Sequence, residues 1–259
     1  MVDYGIEGEV ALVLGGTGGL GFACAQALTA AGAQLLINGR DADRGREAVQ
    51  ALGSNATYLP GDVSQAADRT SVFDEVQRRG GVSILVTNAG GPPPGRFLEA
   101  QPEAWTRAFE TNVLAAVEAA RAVLPGMIER RFGRIVNITS FVVKELYPNM
   151  ALSNTVRVAL TGAMASLARE AIQHGVTVNN ILPGLMDTGA LERVIADRAR
   201  RQKTGAEEVK MEMAASIPAG RLGSADDFGP LCAFLCSRQA GYITGQNVCV
   251  DGGLVRSLL

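Results

Sequence analysis

Three glycines follow the first apolar run of the sequence, in the stretch VLGGTGGLGFACA. Gly15, Gly19 and Gly21 have the spacing GxxxGxG. Glycine at such positions permits a tight turn, close approach of the backbone to a pyrophosphate, and close packing of helix on strand. A helix beginning here would offer unpaired N–H groups and positive potential to phosphate oxygens. The pattern indicates a dinucleotide site, and an ordinary glycine-rich turn between strand and helix is the alternative.

The end of the second apolar run, LLINGRDADR, bears on which dinucleotide would bind. An acid at this place usually holds a ribose 2′-hydroxyl, whereas a base holds a 2′-phosphate. Gly39 stands where the acid is expected and Arg40 follows it. Because a guanidinium pairs with phosphate through two hydrogen bonds, NADP(H) is favoured over NAD(H). Two alternatives stay open: Asp41 as a displaced acid, and Arg40 as a solvated loop residue.

The cysteines and the histidine give little support to metal chemistry. Cys232 and Cys236 have i,i+4 spacing, which could place two ligands on one helix face, but His174 is the single histidine and no second cysteine pair lies nearby. Small cysteines packed in the core are the better interpretation. No metal site is predicted.

The elements that must position these residues follow from the apolar pattern. Runs of strand length alternate with longer helical patterns, which predicts parallel strands joined by helical crossovers. The predicted strands are 10–15, 34–38, 56–59, 83–88, 133–139, 176–182 and 247–253. The predicted helices are 20–31, one from about 43, one ending near 79, 102–130 with a possible break at Pro125, and 153–174. We therefore expect an α/β fold: one doubly wound (Rossmann) domain over residues 1–259, with about seven parallel strands flanked by helices.

Length and composition agree with a single large α/β enzyme domain. The chain has 259 residues, is 47% hydrophobic and carries a net charge of −2. Mixed charges of this kind do not indicate a nucleic-acid partner. No apolar run is long enough to span a bilayer, and the polar, acidic start MVDYGIEGEV does not have the pattern of a signal peptide. We expect a cytoplasmic protein with no nucleic-acid or membrane partner.

Further motifs occur in order along the chain, and together the sequence resembles the short-chain dehydrogenase/reductase family over nearly its whole length. LGGTGGLG is similar to the family's TGxxxGxG, with Leu14 in place of the threonine; GDVS, TNAG, LPGLMDT and the C-terminal third also match. The resemblance implies that Asp62 and Val63 flank the adenine and that Thr188 contacts the carboxamide. The expected cofactor residues are Gly15, Thr17, Gly19, Leu20, Gly21, Arg40, Asp62, Val63, Asn88, Ala89, Gly90, Arg157, Pro183, Gly184 and Thr188.

The same resemblance assigns catalytic residues and exposes a departure. Asn112 in FETNVLAA matches the asparagine that holds a water in the family's proton relay, and Ser140 in IVNITS matches the serine that binds the carbonyl oxygen. In the family a tyrosine follows the serine by thirteen residues and a lysine follows the tyrosine by four; counting from Ser140 gives Ser153 and Arg157. Gly162 and SLARE keep the register, so the two positions are substituted rather than misaligned.

The substitution changes what the site can do with a proton. The Ser153 hydroxyl lies close to the backbone and is a much weaker acid than a phenol, whose ordinary pKa is about 10. The alternative for Ser153 is a residue that begins a helix, such as an N-cap. Arg157 lies one turn further along the same helical face. Its guanidinium could still donate to ribose hydroxyls, but it does not readily cycle a proton.

Two side chains between Ser140 and Ser153 could replace the missing acid. Lys144 and Tyr147 lie on the loop that leaves the fifth strand, at the edge where ligands bind in open α/β sheets. A partly desolvated lysine has a lowered pKa and can donate, so Lys144 is the better candidate. Both could equally be solvated loop residues.

The favoured function is hydride transfer between NADP(H) and a small-molecule carbonyl or alcohol substrate, as in the 3-oxoacyl-thioester reductases that the sequence resembles. A sensor or scaffold that binds NADP(H) with little or no turnover is the alternative, and a methyltransferase is a third, disfavoured by Arg40 and Thr188. The polar helical segment at about 185–218 would cover the substrate. The resemblance also implies a homo-oligomer, a dimer or tetramer, and a basic helix end at Arg130 and Arg131 that faces a carrier protein.

Overall fold

The computed structural model describes residues 3–257 and contains one parallel sheet. The strand order is β3-β2-β1-β4-β5-β6-β7. The strands are β1 (Val10–Val13), β2 (Gln34–Gly39), β3 (Ala56–Pro60), β4 (Ile84–Thr87), β5 (Gly133–Ile138), β6 (Val176–Pro183) and β7 (Asn247–Val250). The strand order reverses between β1 and β4, which in open α/β sheets is where a ligand crevice forms. The expected seven-stranded doubly wound domain is confirmed.

Helices cover both faces of this sheet. They are α1 (Gly19–Ala30), α2 (Ala42–Leu52), α3 (Ala66–Arg78), α4 (Pro102–Phe109), α5 (Ala115–Glu129), α6 (Ala151–Ala171), α7 (Gly189–Gln202), α8 (Ala206–Ala215) and α9 (Ala225–Cys236). One core cluster joins the sheet to α3, α5 and α6, and a second joins it to α1, α2 and α9. Because both faces are covered, the inner strands β4, β5 and β6 are buried along their whole length rather than on alternate residues.

The long helix predicted over 102–130 is interrupted, but not where the sequence suggested. Residues 110–114 form a single π-helical turn between α4 and α5, and Asn112 lies within it. Pro125 lies inside α5 without ending it. The neighbouring Val123 and Met127 are fully buried and hold the helix on the sheet on either side of the proline. Packing against the sheet therefore outweighs the tendency of Pro125 to end the helix. The π turn at Asn112 is a separate feature, and such turns occur frequently at functional sites.

Four polar side chains form a hydrogen-bonded row across the sheet near its carboxyl edge. Thr87, Asn137, Asn180 and Asn247 pair in register on the adjacent strands β4 to β7. Thr87 Oγ1 donates to Asn137 Oδ1 over 2.7 Å, Asn137 Nδ2 to Asn180 Oδ1 over 3.0 Å, and Asn180 Nδ2 to Asn247 Oδ1 over 2.8 Å. This row ties together the strand ends from which the candidate site is built.

The segment after β6 forms two helices with a small core of their own. Leu191 and Ile195 of α7 and Val209 and Met213 of α8 are buried in a cluster that includes Phe141, the residue after Ser140. Within residues 3–257, no helix is long and apolar enough to cross a bilayer. The same residues contain no group of three or more His, Cys, Asp or Glu side chains placed to hold a metal ion.

Candidate active site

The glycine loop after β1 is held against the end of β4. Asn88 Nδ2 donates to the carbonyl oxygen of Gly15 over 3.1 Å. A Cβ at Gly21 would lie 2.2 Å from that same oxygen, and a Cβ at Gly15 would lie 2.7 Å from the carbonyl oxygen of Asn88. These glycines are thus required by close backbone contacts. Gly19, at the first turn of α1, has φ +54° and faces open space up to Thr188 Cγ2 at 4.0 Å.

The helix that begins at this loop offers its N-terminus to an anion. Gly18 has no neighbour within 4 Å of an added Cβ. Leu20 packs against the core cluster beneath the loop, which fixes the first turn of α1. Unpaired N–H groups above open space are the features a pyrophosphate requires. The residues present therefore fit a dinucleotide.

At the end of β2, the structure explains why position 39 carries no acid. A Cβ at Gly39 would lie 2.6 Å from Thr17 Oγ1. The neighbouring Arg40 side chain is 81% exposed and stands 4.0 Å from Asp62 Oδ2. Asp41 instead caps α2, because its Oδ1 accepts from the N–H groups of Asp43 and Arg44. Arg40 is thus an exposed charged group at this edge, in a long ion pair with Asp62, whereas Asp41 is occupied as a helix cap.

The loop after β3 carries Asp62 and Val63. The N–H of Asp62 donates to Asp68 Oδ2 over 2.7 Å, and Asp62 Oδ1 accepts from the N–H of Ser64 over 3.0 Å. Val63 lines the same crevice as Asn88 and Ala89. The loop is fixed further by Arg69, a residue that the sequence analysis did not single out.

Ser140 follows the carboxyl end of β5, and Ser153 lies in the first turn of α6. Ser140 caps the 3-10 turn Phe141–Val143, and its Oγ accepts from the N–H of Val142 over 3.4 Å. The hydroxyl proton of Ser140 remains available for another acceptor. Ser153 is 5% exposed and its hydroxyl has no hydrogen-bond partner among residues 3–257. Met150 is the N-cap of α6, so the alternative of Ser153 as an N-cap is wrong; it is the third residue of the helix.

Arg157 of α6 is buried and bonds backbone carbonyls at the ends of β4 and β5. Its Nη1 donates to the carbonyl oxygen of Ile138 over 3.0 Å and its Nη2 to that of Ala89 over 3.4 Å. Desolvation lowers the pKa of this guanidinium to about 10, so it is charged at neutral pH. No carboxylate among residues 3–257 forms an ion pair with it. The arginine therefore joins the ends of β4 and β5 as an uncompensated cation.

Asn112 faces Arg157 across a small cavity. Its Nδ2 donates to the carbonyl oxygen of Ala108 over 3.1 Å, whereas its buried Oδ1 has no partner within residues 3–257. Arg157 Nε is likewise buried and unpartnered. Both residues line a cavity of about 10 Å³, roughly the volume of one water molecule. A free acceptor and a free donor on one such cavity suit a bridging water.

Lys144 and Tyr147 lie on the segment between Ser140 and α6. Lys144 follows the 3-10 turn and is half-buried, and its charge acts on the Cys249 thiol of β7. Within residues 3–257 no hydrogen bond or ion pair joins Lys144 to Ser140 or Arg157. The Tyr147 ring packs edge-on against Phe141 at 5.5 Å between centroids. Direct proton donation by either residue stays a prediction.

The stretch after β6 reaches back to the glycine loop. Pro183 ends β6 in register with Val250, and a Cβ at Gly184 would lie 2.7 Å from the Asp251 Cα, so the chain passes very close to the strand end β7. Thr188 is the N-cap of α7 and stands opposite Gly19. Gly90 begins an open loop, with nothing within 4 Å of an added Cβ.

An ion-pair network fastens α7 across this edge of the sheet. Arg201 donates to Glu99 Oε2 over 3.1 Å and to Asp197 Oδ2 over 2.8 Å. Hydrogen bonds from Arg201 and from the N–H of Arg96 lower the pKa of Glu99 to about 2. The sequence offers no signal for this contact, because Glu99 lies 102 residues from Arg201 along the chain.

Arg130 and Arg131 follow the end of α5, and their side chains have different surroundings. Arg130 Nη2 donates to the carbonyl oxygen of Val82 over 2.7 Å, so this guanidinium is held by the protein's own backbone. Arg131 is exposed, with φ +50°. Only Arg131 is therefore presented freely at this helix end.

Fold and site together define a Rossmann-type α/β protein with a glycine-rich loop after β1 and a buried cation that lines the neighbouring crevice. Sequence and structure comparisons narrow this class. A protein-family model described as enoyl-(acyl carrier protein) reductase matches residues 15–255 of this chain. The 3-oxoacyl-[acyl-carrier-protein] reductase FabG of Escherichia coli is 35% identical over 250 residues, covering 96% of this chain and 98% of the relative. The NADPH-dependent reductase BacG of Bacillus subtilis is 30% identical over 256 residues, covering 96% and 99%.

Solved structures agree. L-sorbose reductase from Gluconobacter frateurii, complexed with NADPH and L-sorbose, superposes with a TM-score of 0.93 at 30% identity and covers 99% of this chain and 100% of that one. An actinorhodin polyketide ketoreductase with NADPH gives a TM-score of 0.92 at 29% identity, covering 99% and 100%. The chain belongs to the short-chain dehydrogenase/reductase family and is an oxidoreductase of that type.

Proposed function

We propose that the protein is an NADP(H)-dependent reductase of a small carbonyl compound, of the 3-oxoacyl or a related ketone type, whose active site works without the usual tyrosine and lysine. The observation that carries this is the pair Ser140 and Ser153. Ser140 follows β5 and Ser153 lies at the start of α6. Each hydroxyl has a proton that it can donate to a bound ligand. Two such donors suit a carbonyl oxygen that gains negative charge.

NADP(H) is proposed over NAD(H) on the chemistry at the end of β2. Thr17 fills the space that an acidic side chain at position 39 would need, and Asp41 is engaged as a helix cap. Arg40 remains exposed and can fold over a 2′-phosphate. BacG is an NADPH-dependent reductase, and both solved structures contain NADPH, which supports the same choice.

When bound, the dinucleotide supplies the hydride. Ser140 and Ser153 hold the substrate oxygen through their hydroxyl groups, while Arg157 contributes a fixed positive charge behind them that stabilises developing negative charge. At neutral pH Arg157 stays protonated, so it acts as a hydrogen-bond donor and a fixed charge rather than as a base. The proton that neutralises the alkoxide then comes from water or from Lys144. Losing a positioned general acid costs roughly 10²–10⁴-fold in rate, so readily reduced carbonyls are the expected substrates.

A sensor or scaffold that binds NADP(H) without turnover is the second candidate. The observation that favours it is the bonding of Arg157, which joins the strand ends through Ile138 and Ala89 as a structural strut would. In that role the cation stabilises the crevice and needs no reacting oxygen.

The decisive experiment measures NADPH consumption with an activated 1,2-dicarbonyl and with an acetoacetyl thioester, with NADH in parallel. We expect slow turnover that is faster with NADPH. Calorimetric titration of NADPH accompanies it: binding without turnover on either substrate would favour the sensor, and absence of binding would contradict both candidates. Ser140→Ala is the matched variant, and it should abolish turnover while leaving NADPH binding intact.

Lys144 is tested separately. If its ammonium supplies the proton through water, Lys144→Met should reduce kcat by at least about tenfold without changing the affinity for NADPH. Lys210→Met, which removes an exposed ammonium bonded to Asp187, is the control. Undiminished turnover in Lys144→Met would leave water as the donor.

We further propose that α7 and α8 act as a substrate lid and that the chain forms a dimer or tetramer in the cytoplasm. The cluster that joins Leu191 and Ile195 to Phe141 supports the lid, because it places the segment beside Ser140. Phe109 and Val158, 43% and 47% exposed on α4 and α6, are apolar groups that an interface between subunits would cover. Light scattering after gel filtration tests the assembly, and Val158→Glu should shift it toward monomer.

A further inference from the structure

Arg69 is a buried arginine that no step of the proposed reaction uses. It lies in the first turn of α3 and is 5% exposed. Its Nε donates to Glu118 Oε2 over 2.5 Å, and Glu118 belongs to α5. Burial of a charged side chain is costly unless it is paired and hydrogen-bonded, so a specific set of partners holds Arg69 in place.

The other bonds of Arg69 end on a single loop. Its Nη1 donates to the carbonyl oxygen of Val63 and to that of Ser64, each over 3.0 Å. Two successive carbonyls are thereby drawn toward α3, on the inner side of the loop. The intervening peptide is fixed, and the outer side of the loop, with the Val63 side chain, is turned toward the crevice that it shares with Asn112 and Arg157.

Arg69 also stands at a position where an apolar residue is expected. The buried residues of α3 are Arg69, Val72, Phe73 and Val76, spaced i, i+3, i+4 and i+7, which is the core-facing stripe of an amphipathic helix. A leucine or methionine there would fill the same space and bury no charge. What the arginine adds is a fork of donors that reaches two loop carbonyls and a carboxylate together.

We propose that Arg69 is a positioning residue for the cofactor: it fixes the Asp62–Val63 loop in the conformation that receives the adenine, and Glu118 fixes Arg69. This inference rests on the proposed NADP(H) function. Arg69 acts through the loop and does not itself touch the nucleotide. Its effect is therefore confined to ligands that contain adenosine and is absent for ligands that contain only the nicotinamide half.

The test is calorimetric titration of the full chain with three probes: NADPH, adenosine 2′,5′-bisphosphate and reduced nicotinamide mononucleotide. We expect Arg69→Met to weaken the binding of NADPH and of adenosine 2′,5′-bisphosphate by about tenfold, because a charged hydrogen bond that fixes the loop is lost. The binding of reduced nicotinamide mononucleotide should not change. Arg69→Lys should recover part of the affinity, because an ammonium can bond one carbonyl but lacks the fork.

Arg130→Met is the matched control. Arg130, at the end of α5, also donates to a backbone carbonyl, that of Val82, but at the opposite end of the sheet. The variant should lower thermal stability without weakening any probe. If Arg69→Met does not fold, Glu118→Gln keeps the shape of the side chain while removing its charge, and it should weaken both adenosine ligands.

The outcomes separate the two proposals. Unchanged binding of the adenosine ligands in folded Arg69→Met or Glu118→Gln, or equal weakening of all three probes, would overturn the positioning role while leaving the proposed function intact. If the unchanged protein binds neither NADPH nor adenosine 2′,5′-bisphosphate, the proposed function and the positioning role both fail.

Discussion

Arg157 donates a hydrogen bond from Nη1 to the carbonyl oxygen of Ile138 over 3.0 Å, and it is buried with no carboxylate paired to it within residues 3–257. The guanidinium spans the ends of two strands and holds a positive charge at neutral pH beside Asn112. We propose that it stands where the family carries a lysine. On that proposal the site keeps the positive charge of the lysine but holds it on a guanidinium fixed to two backbone carbonyls.

Restoring the family pair should restore acid catalysis. In Ser153→Tyr/Arg157→Lys the phenol would extend from the start of α6 into the crevice, and the ammonium would lower its pKa. We expect kcat/KM for ketone reduction to rise by roughly 10²–10⁴-fold and to fall as the pH rises through the phenol pKa, because the donor must be protonated. Steady-state kinetics between pH 6 and about 10 measure both effects.

The matched variant for this change is Ser153→Ala, which removes a hydroxyl without adding an acid and should lower kcat/KM. A double variant that binds NADPH as well as the wild type yet gains no activity would show that the crevice no longer admits a phenol at the reacting oxygen.

The buried charge of Arg157 should appear in the pH dependence of stability. Desolvation lowers its folded-state pKa to about 10, below the ordinary value of an arginine. Above pH 10 the folded state releases the proton while the unfolded state retains it, so the unfolded state binds more protons and stability rises with pH. Relative to Arg157→Met, the wild type should gain up to about 1.4 kcal/mol per pH unit in that range.

Urea unfolding of both proteins at several values between pH 8 and about 11 measures this difference. Below the folded-state pKa the difference in unfolding free energy should be constant, since both states are then protonated. A difference that stays flat up to pH 11 would mean that Arg157 reaches water or an unseen acid in solution.

Cofactor choice should depend on two residues together. Gly39→Asp alone should damage the loop rather than change the preference, because its Cβ would meet Thr17 Oγ1 at 2.6 Å. In Gly39→Asp/Thr17→Ala the carboxylate has room to accept from a ribose 2′-hydroxyl and to repel a 2′-phosphate. We expect the ratio of NADPH to NADH affinity to fall by at least about tenfold.

Titration of both dinucleotides checks this, with Thr17→Ala as the single-residue control. A preference that survives in the well-folded double variant would place the 2′-phosphate away from the end of β2.

The hydrogen-bonded row across the sheet should contribute to stability through its middle member. Asn180→Val leaves buried Asn137 Nδ2 with only its 3.4 Å bond to the carbonyl oxygen of Asn179, and it leaves half-buried Asn247 Oδ1 without its side-chain partner. Because each unsatisfied buried group costs about 1–3 kcal/mol, the free energy of unfolding should fall by roughly that amount or more. Thr70→Val removes an exposed hydrogen bond to Ala66 and should change stability by less than about 0.5 kcal/mol.

A thermodynamic cycle with Thr87→Val distinguishes a row from independent bonds. If the row acts as a unit, the two substitutions should be less than additive in urea unfolding. Strict additivity would show that each bond stands alone.

The sequence by itself determined the alternation of strand and helix, because apolar periodicity and the positions of glycines are local properties that do not depend on contacts between distant segments. The proposed replacement of the family's tyrosine and lysine by Ser153 and Arg157 also comes from the sequence, by counting from Ser140. The glycine loop, Gly39 and Arg40 could be interpreted for the same reason: a turn and a strand end are short-range features.

Tertiary structure decided the contacts between distant segments. The π turn at Asn112 and the continuity of α5 through Pro125 depend on packing against the sheet, which outweighs local propensity. Arg69 could have been noticed as a charge in an apolar stripe, but its partner Glu118 is 49 residues away. The hydrogen bonds of Arg157 to Ile138 and Ala89, and the ion pair of Arg201 with Glu99, likewise join groups that come within bonding distance only in the folded protein. The energies of these contacts depend on burial, which also exists only after folding.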